Sequence, residues 1–127
     1  MAKEKIKILI AEDDSFLAQM YSEKLEKEGI EVILATNGVE AIDKMKIEMP
    51  DLLLLDLLMP KKNGFEVLQE KLSDEKIRDI PVIVLTNLSQ KEDIKKCYDL
   101  GAREFMIKAY FIPSEIIDKI KKLLNVE

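Results

Sequence analysis

Apolar positions along this chain recur with two periods, one suited to strands and one to helices. Lys5 to Ala11, KIKILIA, alternates at first and then becomes a solid apolar run, which predicts a strand entering the core. It stops at Glu12-Asp13-Asp14. Ser15 to Glu28 carries Leu17, Met20, Tyr21 and Leu25 at helical spacing and closes on Gly29, a natural residue after a helix. Glu31 to Ala35 reads as a second strand. Asn37-Gly38-Val39-Glu40 has the spacing of a capping box, predicting a helix with Val39, Ile42, Met45 and Met49 inward that ends at Pro50. Next, in Asp51 to Gly64, DLLLLDLLMPKKNG, four leucines between turn signals fit a third strand buried on both faces. Asn63-Gly64-Phe65-Glu66 repeats the cap spacing, with Phe65, Leu68 and Leu72 facing the core, and a charged loop spans Ser73 to Ile80. Pro81 to Thr86, PVIVLT, is a fourth strand rich in β-branched residues. Ser89-Gln90-Lys91-Glu92 is read as another capping box, for a helix reaching Leu100 with Ile94, Cys97 and Tyr98 inward and Gly101 at its end. Arg103 to Ile107 is the fifth strand. Pro113 opens the last helix, whose stripe is Ile116, Ile117, Ile120, Leu123 and Leu124, although Ile112 stands where a capping oxygen is expected.

Five strands alternating with five helices predict a doubly wound α/β fold, a parallel sheet covered on both faces with right-handed crossovers. The economical strand order is 2-1-3-4-5, flavodoxin-like, with its switch point beside strands one and three. At 127 residues the expectation is a single domain, 1–127, with no room for a second folded unit.

Charge and composition narrow the chemistry. A formal charge of -5 disfavours binding to a phosphate backbone, so no nucleic acid is expected. With one cysteine, Cys97, no internal disulfide forms, and nothing at the N-terminus is apolar enough for a signal or membrane span; a reducing cytoplasm is the expected location. Histidine is absent, which removes the commonest general base and metal ligand. What remains is carboxylates, hydroxyls, lysine and a hard cation.

The predicted strand ends supply such a set. Glu12 and Asp13 follow strand one, Asp56 strand three, Thr86 ends strand four and Lys108 follows strand five. If strands one and three are neighbours, their three carboxylates meet, and like charges that close raise one another's pKa or demand a cation. Oxygen-only ligands suit Mg2+ better than zinc, and no loop has the acidic ladder of a calcium-binding EF-hand. The simpler account is that Asp13 or Asp14 only caps the first helix. Together, an ammonium and a hydroxyl facing an aspartate with its cation make equipment for phosphoryl transfer, with Asp56 as nucleophile and an acyl phosphate as product.

The motifs ILIAEDD, DLLLLDLLMPKKNG, PVIVLT and GAREFMIK, in this order and over essentially the whole chain, resemble the receiver domain of two-component response regulators. The resemblance implies that Asp56 accepts phosphate, that Asp13 binds magnesium with Glu12 assisting, and that the backbone carbonyl of Leu58 is a further ligand. It also implies that Thr86 and Lys108 contact the phosphoryl group and that Phe105 is an aromatic switch, remodelling the face of helix four, strand five and helix five. The expected partners are a sensor histidine kinase or phosphotransfer protein and an output protein. Such a chain is a signalling switch rather than a turnover enzyme, present as a monomer or a phosphorylation-dependent dimer.

Three features depart from that pattern. Ala109 stands where the family commonly has proline; a cis bond before alanine costs about 3 to 4 kcal/mol against about 1 before proline, which leaves the placement of Lys108 open. Asn87 stands where a very small residue is usual, and either crowds the site or donates to it. Leu58 and Leu88 flank the site with groups that cannot orient a water, so a long-lived phosphorylated form is expected. The alternative is a receiver-like interaction module that is not phosphorylated. An aspartate-nucleophile phosphatase would need an acid at Leu58, and a flavin carrier would need a loop less acidic than Glu12 to Asp14.

Overall fold

The computed structural model describes residues 5–126; the ends of the expected 1–127 domain lie outside them. Its elements are β1 (Lys7–Ala11), α1 (Ser15–Lys27), β2 (Glu31–Ala35), α2 (Gly38–Glu48), β3 (Leu52–Leu55), α3 (Gly64–Leu72), β4 (Val82–Thr86), α4 (Lys91–Asp99), β5 (Glu104–Ile107) and α5 (Pro113–Leu123). All strand pairs are parallel, in the order β2-β1-β3-β4-β5. This is the doubly wound, flavodoxin-like arrangement that the alternation of elements predicts. Among the described residues no helix is long and apolar enough to cross a membrane.

The leucine run of β3 explains the layering. Successive side chains of a strand point to opposite faces, so Leu53 and Leu55 join Leu9, Val82 and Val84 under α2, α3 and α4. Leu52 and Leu54 join Ile8, Ile10, Ile83 and Leu85 under α1 and α5. A central strand with helices on both sides has no wet face, and all four leucines are buried.

The helix faces differ from the sequence reading in ways that geometry explains. Val39, Met49, Leu72 and Tyr98 are exposed. At about 100° per residue, Val39 lies roughly a third of a turn from the face made by Ala41, Ile42 and Met45. Met49 is the residue after α2 and leaves it in a left-handed conformation, φ 47°. On α3 the inward stripe is Val67, Leu68 and Lys71, which rotates Leu72 to the rim and leaves Phe65 half-buried. The capping box at Ser89 does not form: the cap position is Gln90, without a side-chain bond. Strand starts also shift, β1 to Lys7, β4 to Val82 and β5 to Glu104. Ile112 does precede α5 without a cap of its own, and its N–H is taken instead by the Glu115 carboxylate at 2.9 Å.

Gly64 fixes the start of α3 against the end of β3. A Cβ there would lie 2.6 Å from Leu57 Cα and 2.7 Å from the Asp56 carbonyl oxygen, so only glycine lets the helix approach this closely. Gly64 N–H donates to the Leu57 carbonyl at 2.9 Å, which ties the loop down.

Lys71 is buried, and its ammonium donates to the Arg78 carbonyl at 2.8 Å, closing the 73–80 loop over the amino edge of the sheet. Burial pushes it down from 10.5 to about 8, while Asp79 pulls it up and Arg103 pushes it further down. The unfolded chain therefore holds a proton that the folded chain gives up between about pH 8 and 10.5, and stability from this residue rises with pH across that window. In urea denaturation, native chain is expected to gain stability relative to Lys71→Met over that range, and parallel pH curves would contradict a buried ammonium here.

Candidate functional site

The register of the sheet builds the site. Ala11 pairs with Leu55, so the residues that follow them, Glu12 and Asp56, emerge side by side at the carboxyl edge. Backbone bonds continue the ladder there: Asp56 N–H donates to the Ala11 carbonyl and Glu12 N–H to the Ala35 carbonyl, each at 3.0 Å. This is the switch point, where the chain leaves β1 towards β2 on one side and β3 on the other. Glu12, Asp13 and Asp56 each offer an oxygen, all within 4.8 Å of one another.

Each carboxylate has a different environment. Asp14, not Asp13, caps α1, accepting the N–H groups of Phe16 and Leu17 at 3.0 and 3.1 Å. That leaves Asp13 exposed, without a hydrogen bond or ion pair among the described residues. Glu12 is buried, with one oxygen on the Asp14 N–H at 3.1 Å and the other on Lys108 Nζ at 2.5 Å. Asp56 is buried as well. It accepts the Leu58 N–H at 3.3 Å on Oδ1 and Lys108 Nζ at 2.9 Å on Oδ2.

Lys108 therefore spans two buried carboxylates from the far end of β5. Burial alone would push its ammonium down, but the hydrogen bonds it donates to Glu12 and Asp56 outweigh that and hold its pKa above the ordinary lysine range. Glu12 is pushed up chiefly by burial and also by the Asp56 charge, against the pull of Lys108 and of the Asp14 amide. Tyr21, buried on α1 beneath this group, is likewise pushed up by burial.

Thr86 is fully buried at the end of β4, its hydroxyl only loosely engaged by the Leu88 N–H at 3.5 Å. Phe105 is half-buried on β5, packed against the core beneath α4, and its N–H donates to the Tyr98 hydroxyl at 3.1 Å. Leu58 is 56% exposed and lines, with Asp13, Met59, Phe65 and Leu88, an apolar cleft of about 480 Å³ beside the carboxylates. Of the residues named from the sequence, Glu12, Asp13, Asp56 and Lys108 come together here. The sequence reading did not pair Asn87 with Ala109, whose N–H its Oδ1 accepts at 3.1 Å. The Lys108–Ala109 peptide is trans, and Lys108 reaches the pocket with alanine in that position.

The oxygen-only donor set, with Asp13 free and two partners buried beside it, fits a hard divalent cation. Removing Lys108 leaves Glu12 and Asp56 facing each other uncompensated, a loss of about 3 kcal/mol for Lys108→Met near neutral pH in chelator. Without the pull of Lys108, burial and the neighbouring Asp56 charge push Glu12 further up, so the folded variant takes up a proton there more readily and the loss shrinks as the pH falls. Urea denaturation at about pH 7 and about pH 5 checks this; a variant as stable as the native chain at both would contradict the bridge.

A family model describing the response regulator receiver domain matches residues 8–121. The chain is 36% identical over 119 residues to the DNA-binding dual master transcriptional regulator RpaA of Synechocystis sp., covering 94% of this chain and 49% of RpaA. It is 32% identical over 118 residues to the polar-differentiation response regulator DivK of Brucella anthropi, covering 93% of this chain and 95% of DivK. The chain thus spans about half the length of the first of these relatives and nearly all of the second. The crystal structure of the Mn(2+)-bound form of response regulator Rcp1 superposes with a TM-score of 0.81 at 28% identity, covering 91% of each chain.

Proposed function

The chain belongs to the response regulator receiver domain family, and from that membership we propose that it is the phosphoacceptor switch of a two-component signalling pair, with Asp56 taking the phosphoryl group. The observation that carries this reading is the buried Asp56 carboxylate, one oxygen on Lys108 Nζ at 2.9 Å, with Glu12 and Asp13 alongside. Receiver domains are signalling domains that interact with histidine kinases. The donor here would be a kinase or a phosphotransfer protein, because this chain has no histidine of its own.

An Asp56 oxygen attacks phosphorus as the phosphorus–nitrogen bond of the donor phosphohistidine breaks, and the departing imidazole takes up a proton from solvent. Asp56 carries the new acyl phosphate. Lys108 shifts from the carboxylate to a phosphoryl oxygen, and the Thr86 hydroxyl, loosely held, turns to another. Glu12, Asp13, Asp56 and the Leu58 carbonyl would hold Mg2+. When bound, the cation neutralises charge on the phosphoryl oxygens. The acidic cluster supports this, as does the manganese described for Rcp1.

Readout would follow Thr86. As it moves, Phe105 turns further inward, and the surface of α4, β5 and α5 changes for an output protein or a second copy of the chain. The expected location is cytoplasmic, without nucleic acid as a partner of this domain; the DNA binding in RpaA's description belongs to that longer protein.

Intact mass after incubation with a small-molecule phosphodonor tests the reading. One added phosphoryl group is expected on the native chain with magnesium, and none without magnesium or on Asp56→Asn. No adduct under any condition would favour the alternative, a receiver-like interaction module that is not phosphorylated. Once formed, the phosphorylated chain is expected to be long-lived, since Leu58 and the half-buried Leu88 give an attacking water no partner. Leu58→Asn, which supplies one, should shorten the lifetime by about tenfold, within the range of a single positioned polar group; rapid loss of phosphate from the native chain in magnesium buffer would contradict this.

A further inference from the structure

We propose that Asn87 is a positioning residue for phosphoryl transfer, acting through the backbone amide of Ala109 to aim Lys108 into the carboxylate pocket. The proposal rests on the reading of Asp56 as the acceptor. Asn87 follows Thr86 at the end of β4, and Ala109 follows Lys108 at the end of β5. The ladder between these strands ends at the pair Thr86 and Ile107. Just beyond it, Asn87 Oδ1 accepts the Ala109 N–H at 3.1 Å, the side chain standing in for the next rung.

Lys108 thus has both neighbours fixed, Ile107 by the sheet and Ala109 by the carboxamide. Little else holds the chain after it. Lys108–Tyr110 forms a single 3-10 turn, whose closing bond, from Phe111 N–H to the Lys108 carbonyl, is long at 3.4 Å. Ala109 is exposed, and Tyr110 and Ile112 are 73% and 61% exposed, so burial does not anchor this segment before Phe111. Meanwhile Lys108 Nζ must reach Glu12 at 2.5 Å and Asp56 at 2.9 Å, and a phosphoryl group on Asp56 requires the same direction. A free Ala109 amide would let the turn pivot about Ile107. Small errors of aim at a reacting centre cost rate steeply.

The bond is exposed on both sides, so its loss leaves the fold intact and its effect falls on placement. The donor N–H exists because residue 109 is not proline. Two of this chain's departures from the usual receiver pattern are therefore partners in one contact.

Four chains test the proposal: native, Asn87→Ala, Lys108→Ala and the double variant. Each is phosphorylated by a small-molecule phosphodonor with magnesium and followed by mass. Asn87→Ala is expected to slow the native chain by about tenfold and to have no further effect where Lys108 is already gone. An unchanged rate in the native background would overturn the proposal, and so would an equal slowing in both backgrounds, which would mean that Asn87 acts on the phosphoryl group directly. Amide exchange at Ala109, measured by NMR without any donor, is expected to quicken in Asn87→Ala and to stay slow in Asn87→Asp, which keeps an acceptor in place. If the native chain takes up no phosphoryl group, the reading of Asp56 fails, and the exchange data still decide the contact: Ala109 exchange unmoved by Asn87→Ala overturns it.

Discussion

A single ammonium makes the carboxyl edge of this sheet tolerable. Parallel strands at the switch point deliver Glu12 and Asp56 side by side, both buried, and two carboxylates so close cannot both be charged without compensation. Lys108 supplies it from another strand, with bonds to both. Counting Asp13, three carboxylates against one ammonium leave two negative charges, which matches one divalent cation. The cluster is therefore satisfied enough to fold and negative enough to favour a divalent cation.

That arrangement depends on features far from it. Leu52 to Leu55 are buried alternately against two helical layers, and a slip of one residue would exchange the layers and turn Asp56 to the other face. Gly64 lets α3 close directly onto the backbone of Asp56 and Leu57. Asp14 takes the capping of α1 on itself, which frees Asp13 from that duty. Each is a local choice, and all of them favour the same pocket.

The strand order and the meeting of Glu12, Asp13, Asp56 and Lys108 were legible in the sequence because they depend on period and position: continuous apolar runs give buried strands, and the residues just past their carboxyl ends converge. Reading side-chain direction on helices was harder. A spacing of three drifts around a helix of 3.6 residues per turn, so Val39 fell off the face that Ile42 occupies. Lys71 was passed over because a lysine reads as surface, although its stem packs inward and its ammonium finds the Arg78 carbonyl. Tyr98 was placed in the core, yet it lies outside and receives the Phe105 N–H. Asn87 and Ala109 were visible as departures, but nothing in their types or spacing signalled that they meet, because only the pairing of β4 with β5 brings the two residues together.

The most direct test of the central claim is chemical mapping of the phosphorylated residue. Borohydride reduces an acyl phosphate to an alcohol, so an aspartate that carried the phosphoryl group becomes homoserine. After treatment with a phosphodonor and magnesium, homoserine is expected at position 56 and at no other aspartate. Homoserine at Asp13 or Asp51, or an unreduced Asp56 in a chain that has gained phosphate, would contradict the account.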